Sequence, residues 1–265
     1  VAFIVRVAAR GAFESLRRKY AEQRGDADGQ RRNPFLPPDE ALLVGDLSPT
    51  HYCVLNKFNV VEHHLLIVTR EFEDQEEPLT LLDFEALWSC MAEYDALGFY
   101  NSGRTAGASQ PHKHLQMVPV PLRPGGAATP IDALIETAPG LPYPHAVAAC
   151  DPGWPDSPAR AARDCLDLYR TMLRRLGLLG DRAGVAGERP APYNLLVTRR
   201  WLLVVPRSRE FVGSISINAL GYAGALLARD EAELTLIRRR GPMEILKEAA
   251  RRRDEAGPAG PTAED

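Results

Sequence analysis

A chain of 265 residues, 45% hydrophobic and 25% charged, holds enough apolar content for one large core or two small ones and is neither fibrous nor wholly disordered. Its net charge of −3 excludes a general, charge-driven affinity for nucleic acid, and no apolar run approaches the ~20 residues that a membrane-spanning helix needs. Cys53, Cys90, Cys150 and Cys165 lack the short paired spacings of a zinc knuckle or a secreted disulfide scaffold, so reduced thiols in a cytoplasmic protein are expected.

The opening VAFIVRV reads as a short strand and lacks both the length and the cleavage site of a signal segment. It begins on Val rather than Met, which points to residues upstream. A charged stretch, ESLRRKYAEQRGDADGQ, decays into coil, and the Pro-rich RRNPFLPPDE is a loop. Dense Val, Leu and Ile then predict strands near 42–46, 51–56 and 64–69, antiparallel because their links are too short for crossover helices. Thr80 or Asp83 starts a helix whose apolar face is Phe84, Leu87, Met91 and Tyr94, with Gly98 as its stop. Phe99 and Tyr100 lead into the turn-rich NSGRTAGASQP and a strand, HKHLQMVPVPL.

Residues 123–163 are rich in Pro, Gly and Ala and read as an excursion over the surface rather than a new core. A helix at about 162–177 follows, with Leu166, Tyr169, Met172, Leu173 and Leu176 on one face. APYNLLVTRR and WLLVVPRSRE predict two strands joined near Arg199 and Arg200. GYAGALLARDEAELTLIRRRGPMEILKEAARR reads as helical segments split at Gly241 and Pro242, with Arg238–Arg240 and Arg251–Arg253 as solvated faces. The tail DEAGPAGPTAED is too poor in apolar residues to pack. The expected organisation is therefore a catalytic region over 1–122, the excursion over 123–163, a region over 164–250 completing the same unit, and a disordered tail over 251–265.

In GASQPHKHLQMVPV, residues 107–120, His112, His114 and Gln116 stand at every second position, which on a strand places them on one face. Three readings compete. Two histidines at this spacing make a workable metal pair, but glutamine is a poor third ligand. A polar face on an antiparallel strand is also common for structural reasons alone. The third reading is nucleophilic catalysis, because a neutral, oriented imidazole attacks phosphorus readily. The small-residue loop 103–110 would offer backbone N–H groups to phosphate oxygens, with Ser109, Gln110 and Gln116 as side-chain donors.

NSGRTAGASQPHKHLQ, together with VLNKFNVVEHHLLIVTR upstream, resembles the ATP adenylyltransferase family, the diadenosine tetraphosphate phosphorylases of the histidine-triad superfamily. The superfamily pattern is His-x-His-x-His in the hydrolases and His-x-His-x-Gln in the transferases, and this chain carries the Gln form. The likeness runs from about Asn33 to Pro121 and resumes in PYNLLVTRRWLLVVPRSRE and INALGYAGALLARDEAEL. It implies an α+β fold of the histidine-triad type, a mostly antiparallel sheet with helices packed against it. It further implies phosphorolysis of diadenosine tetraphosphate (Ap4A) to ATP and ADP through an adenylyl-histidine. Hydrolysis by a histidine-triad enzyme, ADP-sulfurylase activity at the same site, and a nucleotide sensor without turnover are the alternatives.

By that resemblance His114 is the nucleophile, Gln116 bonds the α-phosphoryl or bridging oxygens, and His112 supports His114 from behind. Asn101, Gly107, Ala108, Ser109 and Gln110 match positions that contact nucleotide or phosphate. Asn56 and Lys57 match the ribose and base wall, and Asn218, Gly221 and Arg229 match substrate contacts, Arg229 suiting a terminal phosphate. Arg207 and Arg209 would suit phosphate too, or simply a charged strand end. His63 and His64 fit a structural role better than a direct one. The partners implied are Ap4A, ATP, ADP and phosphate, with no nucleic acid, no membrane and a monomer or homodimer. No tightly bound cofactor is implied; Mg²⁺ accompanying the polyphosphate would need few protein ligands. The family also implies further residues before the opening strand.

Overall fold

The computed structural model describes residues 1–7, 33–57, 61–136, 140–179 and 189–251. The chain opens with β1 (Ile4–Val7) and reaches its central sheet at β2 (Leu43–Asp46), β3 (His51–Leu55) and β4 (Leu65–Thr69). Helix α1 (Leu81–Glu93) then leads to β5 (Ala96–Asn101) and β6 (His114–Pro119). After α2 (Asp132–Glu136) come β7 (Ala146–Ala149), helix α3 (Pro158–Arg175), β8 (Tyr193–Val197) and β9 (Trp201–Pro206). Eight of these strands form one sheet in the order β2-β3-β4-β6-β5-β8-β9-β7, with every neighbouring pair antiparallel. The α+β, mostly antiparallel architecture expected of the sequence is the one found.

Period-two alternation divides the sheet into two faces. On one, Ile67, Leu115, Met117, Leu195, Val197, Leu202 and Val204 pack against α1 and α3. Helix α1 begins with a full capping box, in which the Thr80 hydroxyl accepts from the Asp83 backbone N–H and the Asp83 carboxylate accepts from that of Thr80. Helix α3 starts at Pro158, whose missing N–H costs nothing in the first turn. Its buried stripe includes Leu166, Tyr169, Met172 and Leu173, the face anticipated.

The other face is covered over half its width. Leu97, Phe99, Val118, Leu196, Leu203 and Val205 lie under the C-terminal elements β10 (Phe211–Val212), β11 (Ile215–Ser216), α4 (Ala219–Tyr222), β12 (Ala225–Ala228), α5 (Glu231–Arg240) and α6 (Pro242–Ala249). Strand β12 pairs in parallel with β1, outside the main sheet. Towards the β3 and β4 end, Phe35, Tyr52, Val54, Leu66 and Val68 form a separate small cluster on the same face. His114 and Gln116, in register with Val68 and Leu66, stand between the two clusters.

Several expectations need correction. Gly98 does not end α1; the helix stops at Glu93, and Gly98 lies inside β5, where an added Cβ would come within 2.8 Å of a Leu87 methyl. The segment 123–163 supplies more than a surface excursion, because β7 closes one edge of the main sheet and Ile131, Leu141, Tyr143 and Trp154 are buried. ALLA in the anticipated helical stretch is strand β12; Ala-rich composition favoured helix, and pairing with β1 overrides it. The split between α5 and α6 does fall at Gly241, whose φ of +81° suits glycine, followed by Pro242. The charged stretch at 14–30 and the tail from 252 onward lie outside the described residues. Among the described residues, no helix is long and apolar enough to cross a membrane.

Candidate active site

Strand β6 begins at His114 rather than His112; His112 lies just before it and makes an isolated bridge to Asp74, outside the sheet. The two imidazoles nevertheless share a face, and the Phe35 ring lies 5.5 Å from one and 5.4 Å from the other. His114 is nearly buried, and its Nδ1 lies 2.8 Å from the carbonyl oxygen of His112. A carbonyl only accepts, so Nδ1 carries the proton and the lone pair of the neutral ring sits on Nε2. The strand's own backbone thus selects the tautomer of its histidine.

His112 is fully buried, and both its ring nitrogens are engaged. Its Nε2–H reaches the Thr69 carbonyl and hydroxyl oxygens, each at 2.9 Å, and its Nδ1 accepts from the Asn33 amide at 2.9 Å. Burial holds this imidazole below its ordinary value of 6.5, against the carbonyls of Thr69 and Glu71, which favour the charged form. With these bonds in place neither nitrogen is presented to a metal. Among the described residues, no group of three or more His, Cys, Asp or Glu side chains is arranged to hold one.

Gln116 is half-buried, and its Oε1 lies 3.0 Å from Nε2 of His64. The Nδ1 of His64 in turn lies 3.2 Å from the amide nitrogen of Asn56. An amide nitrogen only donates, so His64 accepts at Nδ1, donates at Nε2, and meets Gln116 at its oxygen. His64 therefore touches the triad through Gln116, and Asn56, expected on the ribose wall, is the outer end of this chain. Lys57, one residue beyond, is exposed.

The loop after β5 comes against the same region. Gly107 adopts φ +93°, and a Cβ there would lie 2.5 Å from the Ile217 carbonyl and 2.9 Å from Cβ of Asn218. Only glycine combines that backbone with that approach. Asn218 caps α4, its Oδ1 accepting from Leu220 N–H. Asn101, at the end of β5, is buried; its Oδ1 accepts from the Asn194 amide at 2.7 Å and from Ala219 N–H at 2.9 Å. The structure thus brings Asn218 beside Asn101 and the Gly107 loop, more than a hundred residues earlier in the sequence. Ala108 is buried, and Gly107, Ser109 and Gln110 are half-buried on the approach to His112. Gly221 sits inside α4, where a Cβ would crowd Leu226 and Leu246.

Two arginines make structural bonds within the protein. Arg207 is buried and donates to the carbonyls of Ala106, Arg209, Ile217 and Ala249 and to Oδ1 of Asn194. Arg229, its side chain 38% exposed, bonds the buried carboxylate of Glu233 four residues on and the Ser214 carbonyl, contacts that anchor the start of α5.

Sequence reading missed Gln75. Its Oε1 accepts from the His114 backbone N–H at 2.8 Å, and its Nε2 donates to the carbonyls of His114 and Asn101 at 3.1 and 2.9 Å. It also missed the buried charges behind the histidine strand, where Lys113 lies 3.0 Å from Asp83, itself 3.1 Å from His51. Burial would raise the Asp83 carboxyl, but His51 and Lys113 outweigh it and hold it below 3.8. Asp83 is marked locally only as a helix-capping residue, and nothing in the sequence points to its buried partners His51 and Lys113 or to the His114 backbone that Gln75 bonds, which lie 30 or more residues away.

Family models match both parts of the chain: the Ap4A phosphorylase N-terminal domain over residues 1–137 and the ATP adenylyltransferase C-terminal domain over residues 139–252. Diadenosine 5',5'''-P1,P4-tetraphosphate phosphorylase 2 of Saccharomyces cerevisiae is 32% identical over 239 residues, covering 79% of this chain and 72% of the yeast protein. Protein APA1 of the same yeast is 29% identical over 75% of this chain and 69% of its own length. The crystal structure of yeast Ap4A phosphorylase Apa2 is similar with a TM-score of 0.68 at 29% identity, covering 82% of this chain and 78% of that one. The same yeast enzyme in complex with Ap4A gives 0.66 at 27% identity, over 82% and 80%.

Proposed function

The chain belongs to the Ap4A phosphorylase family, and we propose that within it His114 is the nucleophile that carries AMP from Ap4A to inorganic phosphate. The protein is a nucleotidyltransferase that converts Ap4A and phosphate to ATP and ADP. In the first step Nε2 of His114 attacks an α-phosphorus. The N–P bond forms as the P–O bond to the departing ATP breaks. In the second step a phosphate oxygen attacks the same phosphorus, the N–P bond breaks, and ADP leaves.

The observation that carries the assignment is the bond from His114 Nδ1 to the His112 carbonyl, which puts the reactive lone pair on Nε2. As Nε2 becomes bonded to phosphorus the ring gains positive charge, and that carbonyl, aligned on Nδ1–H, stabilises it. Gln116, with its oxygen held by His64, presents its NH₂ group to the phosphoryl oxygens. A neutral amide cannot protonate a leaving group, but a nucleoside triphosphate departs as an anion without that help. The Gly107–Gln110 loop and Asn218 are the proposed phosphate cradle, Asn101 holds the start of α4 to the sheet through the Ala219 N–H, and Lys57 faces the nucleoside.

Brief exposure to Ap4A without phosphate, followed by mass spectrometry, tests this reading. The peptide containing His114 should gain one AMP, and added phosphate should discharge it as ADP. His114→Asn should abolish both the adduct and turnover while Ap4A binding persists. Turnover equally fast without phosphate would instead mean that water is the acceptor. Unchanged turnover in His114→Asn would remove the nucleophile.

A further inference from the structure

We infer that His64, outside the triad motif, is a positioning residue that fixes which way the Gln116 amide faces, and that Asn56 fixes His64 in turn. The inference rests on the reading of Gln116 as a donor to the phosphoryl oxygens. A glutamine amide has two near-isosteric orientations, one presenting two N–H donors and the other an acceptor oxygen. Only the first suits an anionic phosphoryl group; the second sets oxygen against oxygen. An unrestrained Gln116 would sample both, and a donor that must reorient as charge develops loses the advantage of being preorganised.

The structure removes that freedom in two steps. Asn56 Nδ2, a donor under all conditions, lies 3.2 Å from His64 Nδ1 and so keeps the proton of the neutral ring on Nε2. That Nε2–H lies 3.0 Å from Oε1 of Gln116, which commits the amide oxygen to His64 and turns the NH₂ group the other way. The ring is itself held. His64 is 6% exposed and tilted against Phe99 at 5.8 Å, and its backbone carbonyl accepts from Asn56 N–H at 2.8 Å. Asn56 and His64 thus close one turn between β3 and β4, and Gln116 pairs with Leu66 of β4, two residues beyond His64. The donor orientation is specified from a neighbouring strand, just as the His114 tautomer is specified by its own.

The test is a set of His64 variants compared in two backgrounds. His64→Phe keeps the ring's volume but removes the donor, and kcat should fall about ten- to a hundredfold, as when a residue that orients an active-site group is lost. KM for Ap4A should stay within about twofold, since the loss falls on the transition state. His64→Gln restores an N–H near the position of Nε2 and should recover most of the rate. His64→Glu, of nearly the same shape, offers only acceptors; it should draw the NH₂ group of Gln116 towards itself and be as slow as the Phe variant. In a Gln116→Leu background His64→Phe should add nothing, because the group it orients is gone.

Equal losses from His64→Phe in both backgrounds would show that His64 acts independently of Gln116 and overturn the inference. Equal activity of the Gln and Glu variants would overturn it as well, and that comparison survives if the Phe variant does not fold. Full activity in Gln116→Leu alone would instead remove the phosphoryl-donor role on which the inference rests, leaving the His114 adduct as a separate question.

Discussion

A nucleophilic imidazole has to be neutral, and a buried one is kept neutral at a cost that pH exposes. Burial lowers His112, so the folded protein takes up its proton at a lower pH than the unfolded chain does. Between the ordinary value of 6.5 and the depressed one, the unfolded state binds more protons, and stability falls as pH falls. Above 6.5 this contribution is fully present. Thermal midpoints measured from neutral pH downward should therefore decline through this window in the wild type. They should decline less steeply in His112→Asn, whatever its stability at neutral pH; equal slopes would rule out His112 as the source. The site itself was partly legible in sequence. His112, His114 and Gln116 announce themselves by a two-residue period on an apolar strand. Gln75 does not, because it acts on the His114 backbone from a loop 39 residues away, and side-chain-to-backbone bonds leave no spacing to read.

At the scale of elements, Lys113 ties the histidine strand to α1. It points to the opposite face from His112 and His114, and its ammonium lies 2.9 Å from Glu73, 3.0 Å from Asp83 and 3.0 Å from the Pro78 carbonyl. Both Lys113 and Asp83 are about 1% exposed, so removing the cation leaves a buried carboxylate with only His51 and Thr80 to hold it. Breaking such a pair from one side costs about 3–5 kcal/mol. Lys113→Met should lose stability on that order in urea unfolding, and Lys113→Met with Asp83→Asn should lose clearly less than the sum of the two single changes. Strict additivity would show that the pair is not coupled. The helix this pair anchors was legible because Thr80 and Asp83 form a capping box and its apolar residues recur at three and four. Strands β7 and β12 were not. Each is four residues long and rich in Ala, and what makes them strands is pairing with β9 and β1, 50 or more residues away. Gly98 misled for a related reason: its missing Cβ serves contact with Leu87, which only the packed helix reveals.

At the scale of the whole molecule, the sheet takes β2 to β6 from the first family-matched region and β7 to β9 from the second, and β1 pairs back onto β12. The C-terminal elements meet the sheet around Arg207, whose three donor nitrogens span four segments. Nη1 reaches Asn194 on β8 and Ala106 in the loop after β5, Nη2 reaches Arg209 and Ile217 before α4, and Nε reaches Ala249 at the end of α6. The guanidinium also lies 5.3 Å over the Tyr222 ring. Burial presses this arginine below its usual value, so its position is held by geometry against the preference of a charge for water. Arg207 and Asn194 both donate to the carbonyl of Ala106, the residue before Gly107, which links the C-terminal elements to the loop proposed to cradle phosphate. Arg207→Met would leave several buried acceptors unpaired, at about 1–3 kcal/mol each. It should lower stability by several kcal/mol and raise KM for Ap4A in whatever fraction still folds. Arg207→Lys should not rescue it, because a single ammonium cannot serve acceptors set in the fork of a guanidinium. Urea unfolding of the two variants decides the matter: wild-type stability in Arg207→Lys would reduce Arg207 to a buried charge, whereas losses in both would establish the planar fork as the joint between the two halves of the chain.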